Sequence, residues 1–66
     1  MTLYPNFEEW RKAEHVTDAE CMARLHLSLW QFQNRLIGRT PFQPLEKEVL
    51  AAWAGKDEEE LFKRAD

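Results

Sequence analysis

Between Ser28 and Asn34 the chain reads SLWQFQN, a run rich in side chains that can read the edge of a base pair. The amides of Gln33 and Asn34 both donate and accept, so each matches the N6 and N7 edge of adenine in a bidentate pair. Ser28 can donate to or accept from several edges, and Leu29 and Trp30 stand beside it on the same stretch. Arg24, Arg35 and Arg39, with Thr17 and Thr40, surround this run. Such side chains hold phosphate oxygens, which sets a protein's register on a duplex without reading its sequence.

Other chemistries lack their residues. His15 and His26 have no cysteine or carboxylate at metal-ligand spacing, and Cys21 and His26, five apart, do not share a helical face. No nucleophile, base and orienting group form a set, and no glycine-rich phosphate loop occurs. A chain of 66 residues has little room for a catalytic pocket, so no enzyme, no metal and no cofactor is expected. Cys21 is expected as a small core residue. A single cysteine excludes an internal disulfide and fits a reducing cytoplasm. The start, MTLYPNFEEW, has neither the basic nor the apolar region of a signal peptide, and no apolar run is long enough to span a membrane.

Charge is distributed unevenly. The net charge is −3, a value that argues against a nonspecific coat on nucleic acid. None of the 12 acidic residues lies between Cys21 and Leu45, where three arginines do. That third of the chain is therefore locally basic while the remainder is acidic, and a partner meets the local field. Clearing carboxylates from one contiguous stretch suits a surface that faces a phosphate backbone.

Short helices must position these residues. The spacing predicts five, in one domain over residues 1–66. Asn6 with Glu9 reads as an N-cap and its return partner, opening a helix to about Glu14 with Phe7 and Trp10 on one face. Thr17 with Glu20 opens a second, carrying Cys21, Met22 and Leu25. Ser28 with Gln31 opens a third, with Phe32 and Leu36 inward and Gly38 as its left-handed stop. Pro44 begins a fourth, with Leu45, Val49 and Trp53 on one stripe and Gly55 closing it. Asp57 caps a fifth, EEELFKRA, whose acids lie at its N-terminus and whose Lys63 and Arg64 lie at its C-terminus, as the helix dipole favours. The run Asp57–Glu60 needs no further role. Trp30 is expected at the core or its edge; exposed, it would mark a partner hot spot or touch sugar and thymine methyl groups.

Only His26 and Leu27 separate the second helix from the Ser28 cap, a joint that makes two helices cross steeply. The second helix of such a unit can enter a major groove, and the capped starts at Thr17 and Ser28 offer backbone N–H groups to phosphate. From TDAECMARLHLSLWQFQNRL onward, through about residue 65, the chain resembles the Cro/CI-type helix-turn-helix, in the variant of phage CII-like regulators. The segment LHLSLWQFQNRL is similar to their turn and recognition helix, and LAAWAGKDEEELFK to their closing helix pair. The resemblance implies an all-α, five-helix, Cro/lambda-repressor-like domain with its helix-turn-helix unit at about 17–37. It implies a DNA-binding repressor or activator of transcription, acting as a homodimer in the cytoplasm of a bacterium or a phage-infected cell. By position, Ser28, Leu29, Trp30, Gln33 and Asn34 match base-facing sites and Arg39 a backbone-facing one. Where the family commonly has a small residue, a glycine and an apolar residue, this chain has Met22, His26 and Arg35. Trp53, Leu61 and Phe62 are candidates for the dimer surface.

The acidic total and the apolar Leu29 and Trp30 also fit a second class. That class is a protein-interaction module or phage-encoded inhibitor of helix-turn-helix shape, binding a protein through those two residues. An antitoxin-like regulator would combine both roles.

Overall fold

A computed structural model describes residues 2–65. It has five helices and, among the described residues, no strand: α1 (Pro5–Glu14), α2 (Asp18–Leu25), α3 (Leu29–Leu36), α4 (Pro44–Ala54) and α5 (Glu58–Leu61). α2 packs against α3 and α4, while α5 packs against α1 and α4. None of the helices is long and apolar enough to cross a membrane.

Local chemistry explains most boundaries. α2 opens with a reciprocal capping box, in which the Thr17 hydroxyl accepts from the Glu20 N–H and the Glu20 carboxylate accepts from the Thr17 N–H. Ser28 and Gln31 repeat the device at α3, and Asp57 caps α5. Pro44 takes the first turn of α4, where a missing N–H costs nothing. Gly38 and Gly55 both sit in the left-handed region, at φ 81° and 67°. At Gly38 an added Cβ would also lie 2.6 Å from Leu3 Cδ2, the movable end of that side chain.

α1 starts differently from the reading above. Tyr4 is its N-cap and Pro5 its first residue, so Asn6 lies inside the helix. The Asn6 amide instead donates to the Glu60 carbonyl at 2.8 Å, tying α1 to the end of α5. α5 is also shorter than expected. Leu61 and Phe62 both dock in the core, 1% and 7% exposed, and the chain then leaves the helix so that the Ala65 N–H reaches the Leu3 carbonyl. Lys63 and Arg64 therefore lie beyond the helix.

The core is aromatic. Tyr4, Phe7, Phe42 and Phe62 contact one another with ring centroids 5.0–5.9 Å apart, in the edge-on and stacked arrangements such rings prefer. Trp10, Cys21, Phe32, Leu50, Ala51 and Leu61 complete it. On α4 the inward pair is Leu50 and Ala51, not the stripe through Leu45, which is 69% exposed. Leu61 and Phe62 are spent in this core and are not open to a second copy, while the partly buried Trp53 stands edge-on to Trp10 at 5.3 Å.

His26 takes the left-handed corner after α2 itself, at φ 57°, and the Leu27 N–H closes the turn onto Met22. Such a backbone strains any residue with a Cβ. His26→Gly is expected to stabilise the fold by about 0.5–1 kcal/mol, read as a rise of a few degrees in Tm.

Cys21 is fully buried. Burial raises its thiol from the ordinary 9.0 to about 11, against the opposing charge of Arg11. An unfolded chain therefore releases this proton about two pH units before the folded one. From pH 9 to 11 the unfolded state binds fewer protons, and stability falls as pH rises by up to about 1.4 kcal/mol per unit. Cys21→Ala should flatten that slope in unfolding curves taken across this window. An unchanged slope would assign it to another group.

Candidate nucleic-acid interface

The α2–α3 corner sets the geometry of the face. Phe32 is fully buried and roots α3 in the core, with Leu25, Leu27 and Leu36 half-buried around it. Helical spacing then points one stripe outward: Trp30, Gln33 and Ile37 follow at intervals of three and four, with Leu29 one turn before Gln33. Ser28, Leu29, Trp30 and Gln33 are all exposed. Trp30, at 67% exposed, is not a core residue. Ile37, at 68%, belongs to the same stripe. The signal for it was present in the sequence, seven residues after Trp30, the period at which a helix returns to one face.

Asn34 departs from this group, being only 6% exposed. Its burial follows from the chain beyond α3, which turns at Gly38 and runs back until the Thr40 N–H donates to the Asn34 carbonyl at 3.3 Å. That loop covers the flank of α3 on which Asn34 lies. It is a structural residue here, not a base-facing one.

The arginines divide into three kinds. Arg39 is exposed and has no ion-pair partner among the described residues. Arg24 is exposed but leans on α4, its guanidinium carbon 3.9 Å from the centre of the Trp53 ring, a contact that keeps its charge. Arg35 is not available to phosphate. Its Nε and Nη2 donate to the two Glu46 carboxylate oxygens at 3.1 and 3.2 Å, and both side chains are largely hidden. Glu46 is the first carboxylate past the acid-free stretch. It sits in the first turn of α4, where it also accepts from the Gln43 N–H.

The helix starts are partly occupied as well. At α2 the Glu20 carboxylate accepts from both the N–H and the hydroxyl of Thr17, and its charge opposes a phosphate there. At α3 the Gln31 side chain takes the Ser28 N–H. Thr17 is thus a cap rather than a free phosphate ligand, and Thr40, half-buried, holds the loop to α3. Arg39 and Arg24 remain as the exposed charges of the stretch.

Sequence reasoning missed a buried cation where α1 meets the start of α2 and Phe32 of α3. Arg11 is 8% exposed, pairs with Glu8 at 2.9 Å and with Asp18, and lies between the rings of Phe7 and Phe32. Burial alone would lower its pKa, but the hydrogen bond to Asp18 and the charge of Glu8 raise it above the ordinary value. Arg11 thereby joins α1 to the start of α2. No group of three or more His, Cys, Asp or Glu placed to hold a metal occurs among the described residues. Compared with models of protein families, with curated proteins and with solved structures, the chain finds no match.

Proposed function

We propose that this chain is a sequence-specific DNA-binding regulator of transcription, of the phage or prophage repressor or activator type, with α3 as the helix that enters the major groove. The observation that carries the reading is the α2–α3 pair. Its helices are joined by three residues through a left-handed corner, each begins at a reciprocal capping box, and α3 turns an exposed stripe away from the core. A helix-turn-helix of the Cro-like kind presents its second helix in this way. The absence of carboxylates from Cys21 to Leu45 and the exposed Arg39 and Arg24 support the same reading. Gln33 and Ser28 are the hydrogen-bonding base readers. The protein acts as a homodimer on a two-fold site, since one domain of this size makes too few contacts for tight specific binding. It works in the cytoplasm of a bacterium or infected cell by blocking or recruiting polymerase.

Selection of sheared source-genome DNA on the purified protein, washed at two salt concentrations, tests this. The reading requires recovery of a few two-fold symmetric sites, lost at the higher salt through counterion return. On such a site Gln33→Ala should weaken binding by about 1–3 kcal/mol. Arg39→Ala should weaken binding to all sequences alike and reduce the salt slope by about one.

A second reading is favoured by the exposure of Leu29, Trp30 and Ile37 on one helix and by the acidic total. In it the same face is an apolar hot spot for a protein. Binding through that surface would hardly respond to salt, and the genomic selection would recover nothing above background.

A further inference from the structure

Three of the four large apolar side chains most exposed in this protein, Leu29, Trp30 and Ile37, lie on α3 or at its end, with Gln33 between them. The types missing from that face are equally informative. In the major groove guanine is read by Arg or Lys and cytosine by Asp or Glu. α3 has no lysine, aspartate or glutamate, and its one arginine, Arg35, is closed off by both carboxylate oxygens of Glu46. What remains matches one kind of base pair. A glutamine amide pairs with the N6 and N7 edge of adenine, and apolar side chains pack on the C5 methyl group of thymine. The charge of the surroundings suits a duplex, since no carboxylate lies on α3 or on the loop that follows it and Arg39 is exposed there.

We propose, resting on the DNA-binding reading above, that α3 selects an A·T half-site and that contact of Leu29, Trp30 and Ile37 with thymine methyl groups supplies part of that selection. The apolar face is then the reading surface itself. Gln33 fixes the register on an adenine, and the flanking side chains count methyl groups beside it. Removing one methyl group buried in such a contact is worth about a fourfold loss of affinity.

The test begins with a random-sequence duplex pool selected on the purified full chain, followed by sequencing of the retained duplexes. The best duplex is then remade with deoxyuridine for thymidine in each half-site, which deletes the methyl groups and keeps every base-pair hydrogen bond. The proposal expects half-sites dominated by A·T pairs and a loss of about fourfold per contacted methyl. It also expects Trp30→Ala or Ile37→Ala to bind the thymine and uracil duplexes more nearly alike. Both residues are exposed, so these variants should keep the helical signal and Tm of the parent. Half-sites rich in G·C, equal binding of the two duplexes, or the same uracil penalty in both variants would overturn the proposal while leaving the DNA-binding reading intact. A pool that yields no enriched sequence overturns both.

Discussion

Arg11→Ala is expected to lower the unfolding free energy by about 3 kcal/mol, a large share of what a domain of this size has, on the order of 5 kcal/mol. Three losses add. The guanidinium no longer joins Glu8 on α1 to Asp18 at the start of α2. Its contacts with the Phe7 and Phe32 rings, at 5.6 and 5.5 Å, disappear. The stem also leaves a void between the Phe7 and Phe32 rings. Removing one partner of a fully buried pair costs about 3–5 kcal/mol. Here the abandoned carboxylates are 35% and 50% exposed and regain water, which holds the figure near the lower end. Arg11→Met separates the contributions. If packing carries most of the effect, Met fills the space between the rings and the cost falls to about 1 kcal/mol. If the two ion pairs carry it, Met is as damaging as Ala. Urea unfolding of the three proteins decides, and a cost below about 0.5 kcal/mol for Arg11→Ala would show that Glu8 and Asp18 do not depend on it.

That cation also shows where the sequence was legible and where it was not. The boxes Thr17–Glu20 and Ser28–Gln31, and the left-handed glycines 38 and 55, were readable because each is decided within about one helical turn. Asn6 with Glu9 has the same local pattern yet does not cap, because Pro5 already starts the helix and the Asn6 amide finds a carbonyl on α5. The inward face of α4 was misread for a related reason. In LEKEVLAAWA apolar residues occur on every side of the helix, so periodicity does not choose among Leu45, Leu50 and Ala51; packing against α2 and α5 does. Asn34 was placed outward by spacing alone, but the returning loop covers it. Trp30 is the opposite case, a residue type usually buried that here has no element packed over it. The outward stripe of α3 was thus legible except at one edge, while its electrostatics depended on Glu46, a residue outside the stretch that drew attention to it.

Glu46 therefore carries the second large expected effect. Its carboxylate binds Arg35 through two hydrogen bonds and caps α4 through the Gln43 N–H, so Glu46→Ala should cost about 2–3 kcal/mol, from the broken ion pair and the lost cap together. Glu46→Gln retains an oxygen for the cap, removes the charge and puts an amide NH2 where Oε2 accepted from Arg35, and should cost about 1–2 kcal/mol less than the alanine variant. Its effect on binding runs the other way. With Glu46 neutral, Arg35, two residues from Gln33 and so on the side of α3 away from its exposed face, adds an uncompensated positive charge. If duplex DNA occupies that face, affinity for arbitrary sequences rises and the salt slope steepens by up to about 0.9, the value of one further phosphate contact. Specific and nonspecific sites then become harder to tell apart. Binding of a nonspecific duplex by Glu46→Gln, compared with wild type across a salt series, is the deciding measurement. A less stable variant with an unchanged salt slope would assign the pair a structural role alone.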